Sequence, residues 1–261
     1  MNDDPVLTRR DGAVGVMTFN RADKLNALNM PMMQAIEAAL GTLEADPQVR
    51  AIVMTGADDR AFMAGGDIAD LATRRPASWY DEFGPTVHRI FRRIEACDKP
   101  TIAAVNGWAL GGGMELMLCT DMRLMAAEAK SGLPEIKLGL FPGGGGSQRL
   151  MRQIPLCQAK KLMFTADSLS APQALALGLV NEVLPRAELM AATMALAARV
   201  ANMSAQTLKL LKHAMLHGAE MPLESALAYE RAMLGIAFDH PDAREGCNAF
   251  LEKRPPRFAG T

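Results

Sequence analysis

An apolar, β-branched run, Thr101 to Val105, leads directly into Asn106-Gly107-Trp108-Ala109-Leu110-Gly111-Gly112-Gly113-Met114-Glu115-Leu116. This stretch restricts the fold more than any other. The order strand, glycine turn, helix start leaves unpaired backbone N–H groups at the turn. The glycines remove the side chains that would keep a substrate oxygen away from those donors. A carboxylate, Glu115, follows two residues after Gly113 in apolar surroundings. A donor pocket beside a buried acid is an arrangement that stabilises a developing oxyanion and moves a proton.

The 261 residues fit one larger domain, or one domain with a helical appendage, and bury enough surface to need no staples. A net charge of −1 gives no electrostatic case for nucleic acid or for an anionic membrane surface. The four cysteines (Cys97, Cys119, Cys157, Cys247) form no CxxC pair and read as reduced, mostly buried small apolar residues. The first residues are acidic, then basic, with no apolar h-region, and no run of 18 uncharged apolar residues follows. These features predict a cytoplasmic protein without a membrane segment. The 19 methionines fall on expected core faces and read as gap-fillers.

Short strands are expected at Val14 to Phe19, Ala51 to Thr55, Asp121 to Ala126 and Leu179 to Leu184. Asn20 to Asn29 reads as a loop. Asn29 then caps a helix whose face is Met33, Ile36, Ala39, Leu40 and Leu43, with Pro31 in its first turn. Val87 to Ala96 is helical, broken by Lys99-Pro100. Leu71 to Pro85, with Pro76, Trp79, Tyr80 and Gly84, reads as an irregular loop near a ligand. After Gln148 the chain is expected to be almost wholly helical: Cys157 to Phe164, Ala187 to Ala201, Ala205 to His217, Leu223 to Phe238 and Pro241 to Glu252. Strands alternating with helices and then a helical tail indicate an α/β core, residues 1–200, continuous with a helical region, residues 201–261.

Several familiar sites are absent from the sequence. No lysine follows the glycine runs, so there is no P-loop, and neither GxGxxG after a strand nor GxSxG occurs. His213 and His217 have the spacing of a zinc pair, but position 214 is alanine where a zinc protease has glutamate, and no third ligand is near. No metal site is expected. Three segments remain: Ala61 to Ile68, Asn106 to Leu116 and Leu133 to Gly146.

Taken in this order, AFMAGGDI, AAVNGWALGGGMEL and LPEIKLGLFPGGGGSQRL resemble the three signature segments of the crotonase (enoyl-CoA hydratase/isomerase) superfamily, and Asp242 to Phe258 is similar to its C-terminal helix. The resemblance runs nearly end to end. It implies an α/β fold, a crotonase-type spiral of ββα units with a C-terminal α-helical trimerisation region, assembled as a homotrimer or a dimer of trimers. It further implies an acyl-CoA thioester substrate and no metal or redox cofactor, CoA being part of the substrate.

Roles follow from the same resemblance. The two backbone N–H groups of the family's oxyanion hole map onto Gly66 and Gly112. The hydratases' two catalytic carboxylates map onto Glu115, which would activate water, and Glu135, which would supply a proton to the α-carbon. Lys24, Leu25 and Ala27 match the segment lining the CoA path. Ala64, Gly65, Asp67 and Ile68 match positions along the pantetheine. Gly143 matches a glycine near the catalytic water, and Phe250 and Lys253 match C-terminal positions that can reach a neighbouring subunit's CoA. Two nearby carboxylates in an apolar pocket must titrate as a unit. The helix start beside Glu115 is expected to favour its ionised form and to leave Glu135 as the proton carrier.

Three features depart from the family pattern. Gly66 stands where relatives often have alanine, Gly143 to Gly146 is an unbroken run, and Leu71 to Pro85 matches poorly. With both acids present, the reading is reversible syn-hydration of a trans-2-enoyl-CoA. The alternatives are 3,2-enoyl isomerisation, a specialised aryl- or branched-acyl hydratase, or a non-catalytic or RNA-binding member.

Overall fold

The computed structural model describes residues 4–258, and its first two strands already separate edge from interior. β1 (Val6–Asp11), absent from the sequence expectations, pairs antiparallel with β2 (Val14–Phe19), Asp11 facing Val14 across the turn. Burial falls away along β1 but persists through β2, as befits an edge strand and its inner neighbour. Asn20 to Asn29 is a loop with one 3-10 turn, Ala22–Lys24. It delivers the chain to α1 (Met30–Ala45), where Asn29 caps as expected, its side chain accepting from Met32 N at 3.0 Å.

A repeating step then builds the core. β3 (Ala51–Gly56), β5 (Thr101–Val105) and β7 (Met122–Ala126) each join the large sheet. Each is followed by a short strand of a second sheet: β4 (Ala61–Met63), β6 (Trp108–Leu110) and β8 (Lys130–Gly132). Helices close each step. After β4 come α2 (Ile68–Thr73), α3 (Pro76–Ser78) and α4 (Gly84–Glu95); after β6, α5 (Gly112–Met117); after β8, α6 (Gly146–Gln153) and α7 (Leu156–Thr165). β9 (Ser168–Ser170), α8 (Ala171–Ala176) and β10 (Glu182–Leu184) complete the sheets. Their orders are β1-β2-β3-β5-β7-β10 and β4-β6-β8-β9. The larger is parallel from β2 to β10, and its inner strands β3 and β5 are buried on both faces, which explains their unbroken apolar sequences. This is the ββα spiral expected from the resemblance.

α9 (Arg186–Ala201) packs across β2, β3, β5 and β7, and α10 (Ala205–Gly218), α11 (Leu223–Asp239) and α12 (Pro241–Leu251) follow, each within two residues of its expected bounds. The core itself is methionine-rich: Met17, Met32, Met33, Met54 and Met63 are fully buried, beside an edge-to-face contact of Phe19 with Phe62 at 5.2 Å. No helix among the described residues is long and apolar enough to cross a membrane.

Four expectations need correction. Leu71 to Pro85 is helical: α3 runs through a π-type turn, Trp79–Phe83, into α4. Pro76 and Pro85 both sit in first turns, where proline starts a helix instead of breaking one. The turn after β5 contains strand β6, too short to show a period. The last strand spans only Glu182–Leu184, because Leu179 N is tied back to Ala174 O at 2.9 Å. Cys97 and Cys119 are buried, but Cys157 and Cys247 are exposed.

Candidate active site

The small sheet brings two glycine turns together. Gly65 has φ +100° and Gly111 φ +51°, conformations that side-chain-bearing residues rarely adopt. A Cβ on Gly65 would lie 3.8 Å from Gly112 N, so the two turns touch backbone to backbone. Leu28 bridges to Gly66 by donating to Gly65 O at 2.7 Å and accepting from Asp67 N at 2.8 Å, a pairing in which the Gly66 N–H takes no part. Gly112 is the first residue of α5, and the first bond across that turn is Glu115 N to Gly111 O at 2.9 Å, so its N–H also has no partner along the helix. Gly113 permits this approach, because a Cβ there would run into Met63 O.

Around this cradle the chain is fastened by amides. Asn26, fully buried, donates to Ala61 O and Phe62 O at 3.1 Å each and accepts from Arg21 N at 2.9 Å. The segment holding Lys24, Leu25 and Ala27 is thereby pinned to β4, and Ala64 N donates to Leu25 O at 3.0 Å. Asn106 similarly accepts from Gly56 N at 2.9 Å, joining the ends of β3 and β5.

Glu115 is 4% exposed. Its Oε1 accepts from Gly144 N at 2.8 Å and from Gly146 N at 2.7 Å. Burial raises its pKa, and these two N–H bonds, with the charges of Arg149 and His88, oppose the rise. The shift is upward, against the expectation that the helix start would favour the ionised form, and the hydrogen bonds that oppose it come from the distant Gly143–Gly146 run. Arg149 holds that run in turn: it donates to Gly144 O at 3.2 Å and grips Glu95 with two bonds, 2.9 and 3.0 Å.

Glu135 opens the 3-10 turn Glu135–Leu138. Its Oε1 would lie 3.1 Å from a Cβ on Gly111, which places this acid over the cradle, and its Oε2 is buried without a hydrogen-bond partner. Burial, helped by the charge of Glu115 and opposed only by its own backbone N–H, pushes the Glu135 carboxyl up to about 7. The two acids thus share a site and differ in what solvates them: two backbone donors for one, nearly none for the other.

The remaining sequence candidates lie in several places. Ala64, Gly65, Leu25 and Ala27 lie along the paired backbones beside the cradle, Gly143 adjoins Glu115's donors, and Lys24 and Ile68 are exposed at the edge. Asp67 does structural work: it caps α2 through Ala69 N and pairs with Arg21 at 2.8 Å, and that bond above all lowers its pKa. Phe250 and Lys253 stay with the C-terminal helices, where α12 packs on α11 and Phe250 is 84% exposed. Sequence reasoning passed over Asn26, Arg149, Glu95 and Arg123. The guanidinium of Arg123 is buried and gives all of its N–H groups to Met117 O, Leu118 O, Thr120 O, Leu179 O and Gln153 Oε1, closing the C-terminal end of α5. Among the described residues no group of three or more His, Cys, Asp or Glu side chains comes together as metal ligands.

Known proteins share this architecture. The profile of the family described as Enoyl-CoA hydratase/isomerase matches residues 9–261. A short-chain-enoyl-CoA hydratase of Clostridium acetobutylicum is 39% identical over 249 residues, 95% of each chain. A crotonyl-CoA hydratase of Syntrophomonas wolfei is 39% identical over 253 residues, 97% of each. The crystal structure of an enoyl-CoA hydratase subunit I from Geobacillus kaustophilus superposes with a TM-score of 0.93 at 40% identity, covering 98% of both chains. With a ββα spiral, a cradle of two glycine turns and an acid pair above it, the chain belongs to the enoyl-CoA hydratase/isomerase family.

Proposed function

We propose that this protein is an enoyl-CoA hydratase, adding water reversibly and syn across the double bond of a trans-2-enoyl-CoA. The observation that carries the reading is the unequal provision of the two acids. Glu115, held by two N–H groups, serves as the carboxylate that takes a proton from water as its oxygen bonds to the β-carbon. Glu135, without such donors, holds the proton that goes to the α-carbon. The thioester oxygen gains negative charge between these events, and the N–H groups of Gly66 and Gly112 receive it; one such donor is worth about 2.7–4 kcal/mol in the transition state. Proton return from Glu115 to Glu135 resets the pair, so the net change is one water added. CoA belongs to the substrate, and the mechanism draws on no further cofactor.

Short acyl groups are the favoured class. The Trp79 indole packs on Gly143, with a ring carbon 2.7 Å from where a Cβ would stand, and Val87 packs on Gly144, so bulk closes in around the donors of Glu115. The names of the two relatives above point the same way. Residues 201–261 form the oligomerising region in this reading: Leu223, Phe238 and Met215 are each at least two-thirds exposed on their helices. A homotrimer or dimer of trimers in the cytoplasm would cover them and bring Phe250 and Lys253 to a neighbour's CoA. Light scattering after size exclusion tests the assembly.

The activity is tested with a panel of enoyl-CoA thioesters, following loss of the conjugated chromophore. Wild type should hydrate the four-carbon substrate fastest, and Glu115→Gln and Glu135→Gln should each lose about 10²–10⁴ in kcat. Wild-type rates in either variant would overturn the assigned roles. Turnover of a 3-enoyl isomer alone would replace hydration by isomerisation.

A further inference from the structure

His88 lies on α4, outside the acid pair, yet its ring meets the same glycine run. Its Nε2 is 2.6 Å from Gly143 O. A carbonyl oxygen can only accept, so Nε2 carries a hydrogen and donates. Gly143 O and Gly144 N belong to one peptide group, and Gly144 N donates to Glu115 Oε1 at 2.8 Å. The result is a chain: imidazole N–H to carbonyl, then through the peptide to an N–H that holds the carboxylate. A donor on the carbonyl withdraws electron density from the amide and makes its N–H a stronger donor, the ordinary cooperativity of linked hydrogen bonds. The second bond to Glu115 has the same construction. Gly146 N shares its peptide with Gly145 O, and that oxygen accepts from Arg149 N at 2.8 Å and Gln148 N at 3.1 Å, both in the first turn of α6. Both peptides that hold Glu115 are thus polarised from behind, one by a helix backbone and the other by a side chain.

We propose that His88 is a positioning residue for the reaction, acting on Glu115 through the Gly143–Gly144 peptide group. The proposal rests on the reading of Glu115 as the base that activates water. The other charged groups around His88 line a cavity of about 650 Å³ behind the run: Arg92 and Glu95 from α4, Arg149 and Arg152 from α6, and His217 and Glu220 at the end of α10. Two of these arginines are matched locally. Arg149 is gripped by Glu95, and Arg152 meets Glu220 at 3.0 Å. His217 is engaged edge-on with Tyr229, ring centres 6.0 Å apart. His88 is the side chain that touches the Gly143 carbonyl.

The test compares His88→Ala, which removes the donor, with His88→Gln, whose amide N–H can reach the same carbonyl. The readout is the pH dependence of kcat/KM on a short 2-enoyl-CoA, with far-UV circular dichroism to match the folded fraction. Without the donor the Glu115 carboxylate is less stabilised and holds its proton to higher pH. The acid limb should therefore move up by about 0.5 pH unit, about threefold in the ionisation constant, with kcat lowered and KM little changed. His88→Gln should restore the wild-type limb. An active wild type beside a His88→Ala variant with the wild-type limb and kcat overturns this proposal alone, as does a glutamine variant that behaves like the alanine one. A wild type that turns over no 2-enoyl thioester overturns the hydratase reading and this proposal with it.

Discussion

Replacing Glu135 by glutamine keeps the side chain's shape and removes its charge, so the change separates what the acid costs the fold from what it gives the reaction. Burial moves this carboxyl from 4.5 to about 7. At about 1.36 kcal/mol per pH unit, ionising it in the folded state costs about 3 kcal/mol more than in the unfolded chain. The sign follows from proton counts. Between pH 4.5 and about 7 the native protein keeps a proton that the unfolded chain has released, so wild-type stability falls as pH rises through that window. Below it both states are protonated and glutamine changes little. Urea unfolding at one fixed protein concentration, since assembly contributes to apparent stability, measures the difference. The Glu135→Gln protein should gain nothing over wild type near pH 4.5, about 3 kcal/mol above about pH 8, and lose its hydratase activity at every pH. A stability difference that is constant with pH, or one that grows on acidification, would refute the argument that burial without donors governs this acid.

Other substitutions probe the cradle and its supports. Gly66→Ala meets only the flexible end of Leu71, 2.8 Å from the new Cβ, and should keep kcat within about twofold. Gly112→Ala drives a Cβ to 2.6 Å from Leu28 Cδ1, which is buried beneath the turn, and should lower kcat about 100-fold at nearly unchanged KM by displacing the donor. Arg123→Met takes a donor from four carbonyls and from Gln153, of which Met117 O and Leu118 O keep another, and unfolding measurements should show a loss of about 1–3 kcal/mol. Trp79→Ala removes the indole against Gly143 and should raise kcat/KM for eight-carbon relative to four-carbon thioesters, measured on the same panel.

The elements that could be read from the sequence were those long enough to show a period or a cap. α1 announced itself through Asn29, Pro31 and five spaced apolar residues, and the C-terminal helices did so by length. The short strands β4, β6, β8 and β9 have three residues each, too few to alternate, and exist because each finds a partner. The same limit applies at the site. Glu115 and Glu135 were visible as acids inside glycine-rich segments, but what solvates them was not. The donors of Glu115 lie 29 and 31 residues away, and nothing local to α5 signals them. The partners of Asp67 were hidden for the same reason: its carboxylate meets Arg21, 46 residues distant, as well as the α2 cap. Prolines misled in Leu71 to Pro85 because a helix breaker and a helix starter are the same residue, distinguished only by where the turn begins.

The unbroken glycine run joins these observations, because a side chain at any of its four positions would meet a close contact or a strained backbone. At Gly143 a Cβ would press on the Trp79 indole at 2.7 Å. At Gly144 it would stand 2.6 Å from Glu115 Oε2, and at Gly146 2.9 Å from Glu115 Oε1. Gly145 has φ +102°, which turns the chain so that the N–H groups on either side of it converge on one oxygen. A side chain at 144 or 146 would hold the carboxylate off its donors and leave it as poorly solvated as Glu135. The two acids would then no longer differ in their hydrogen-bond donors, and the proposed exchange, in which one takes a proton and the other gives one, would lose the asymmetry it rests on. The departure from the usual family pattern at this run therefore supplies the donors that distinguish Glu115 from Glu135, the difference on which the proposed division into base and acid rests.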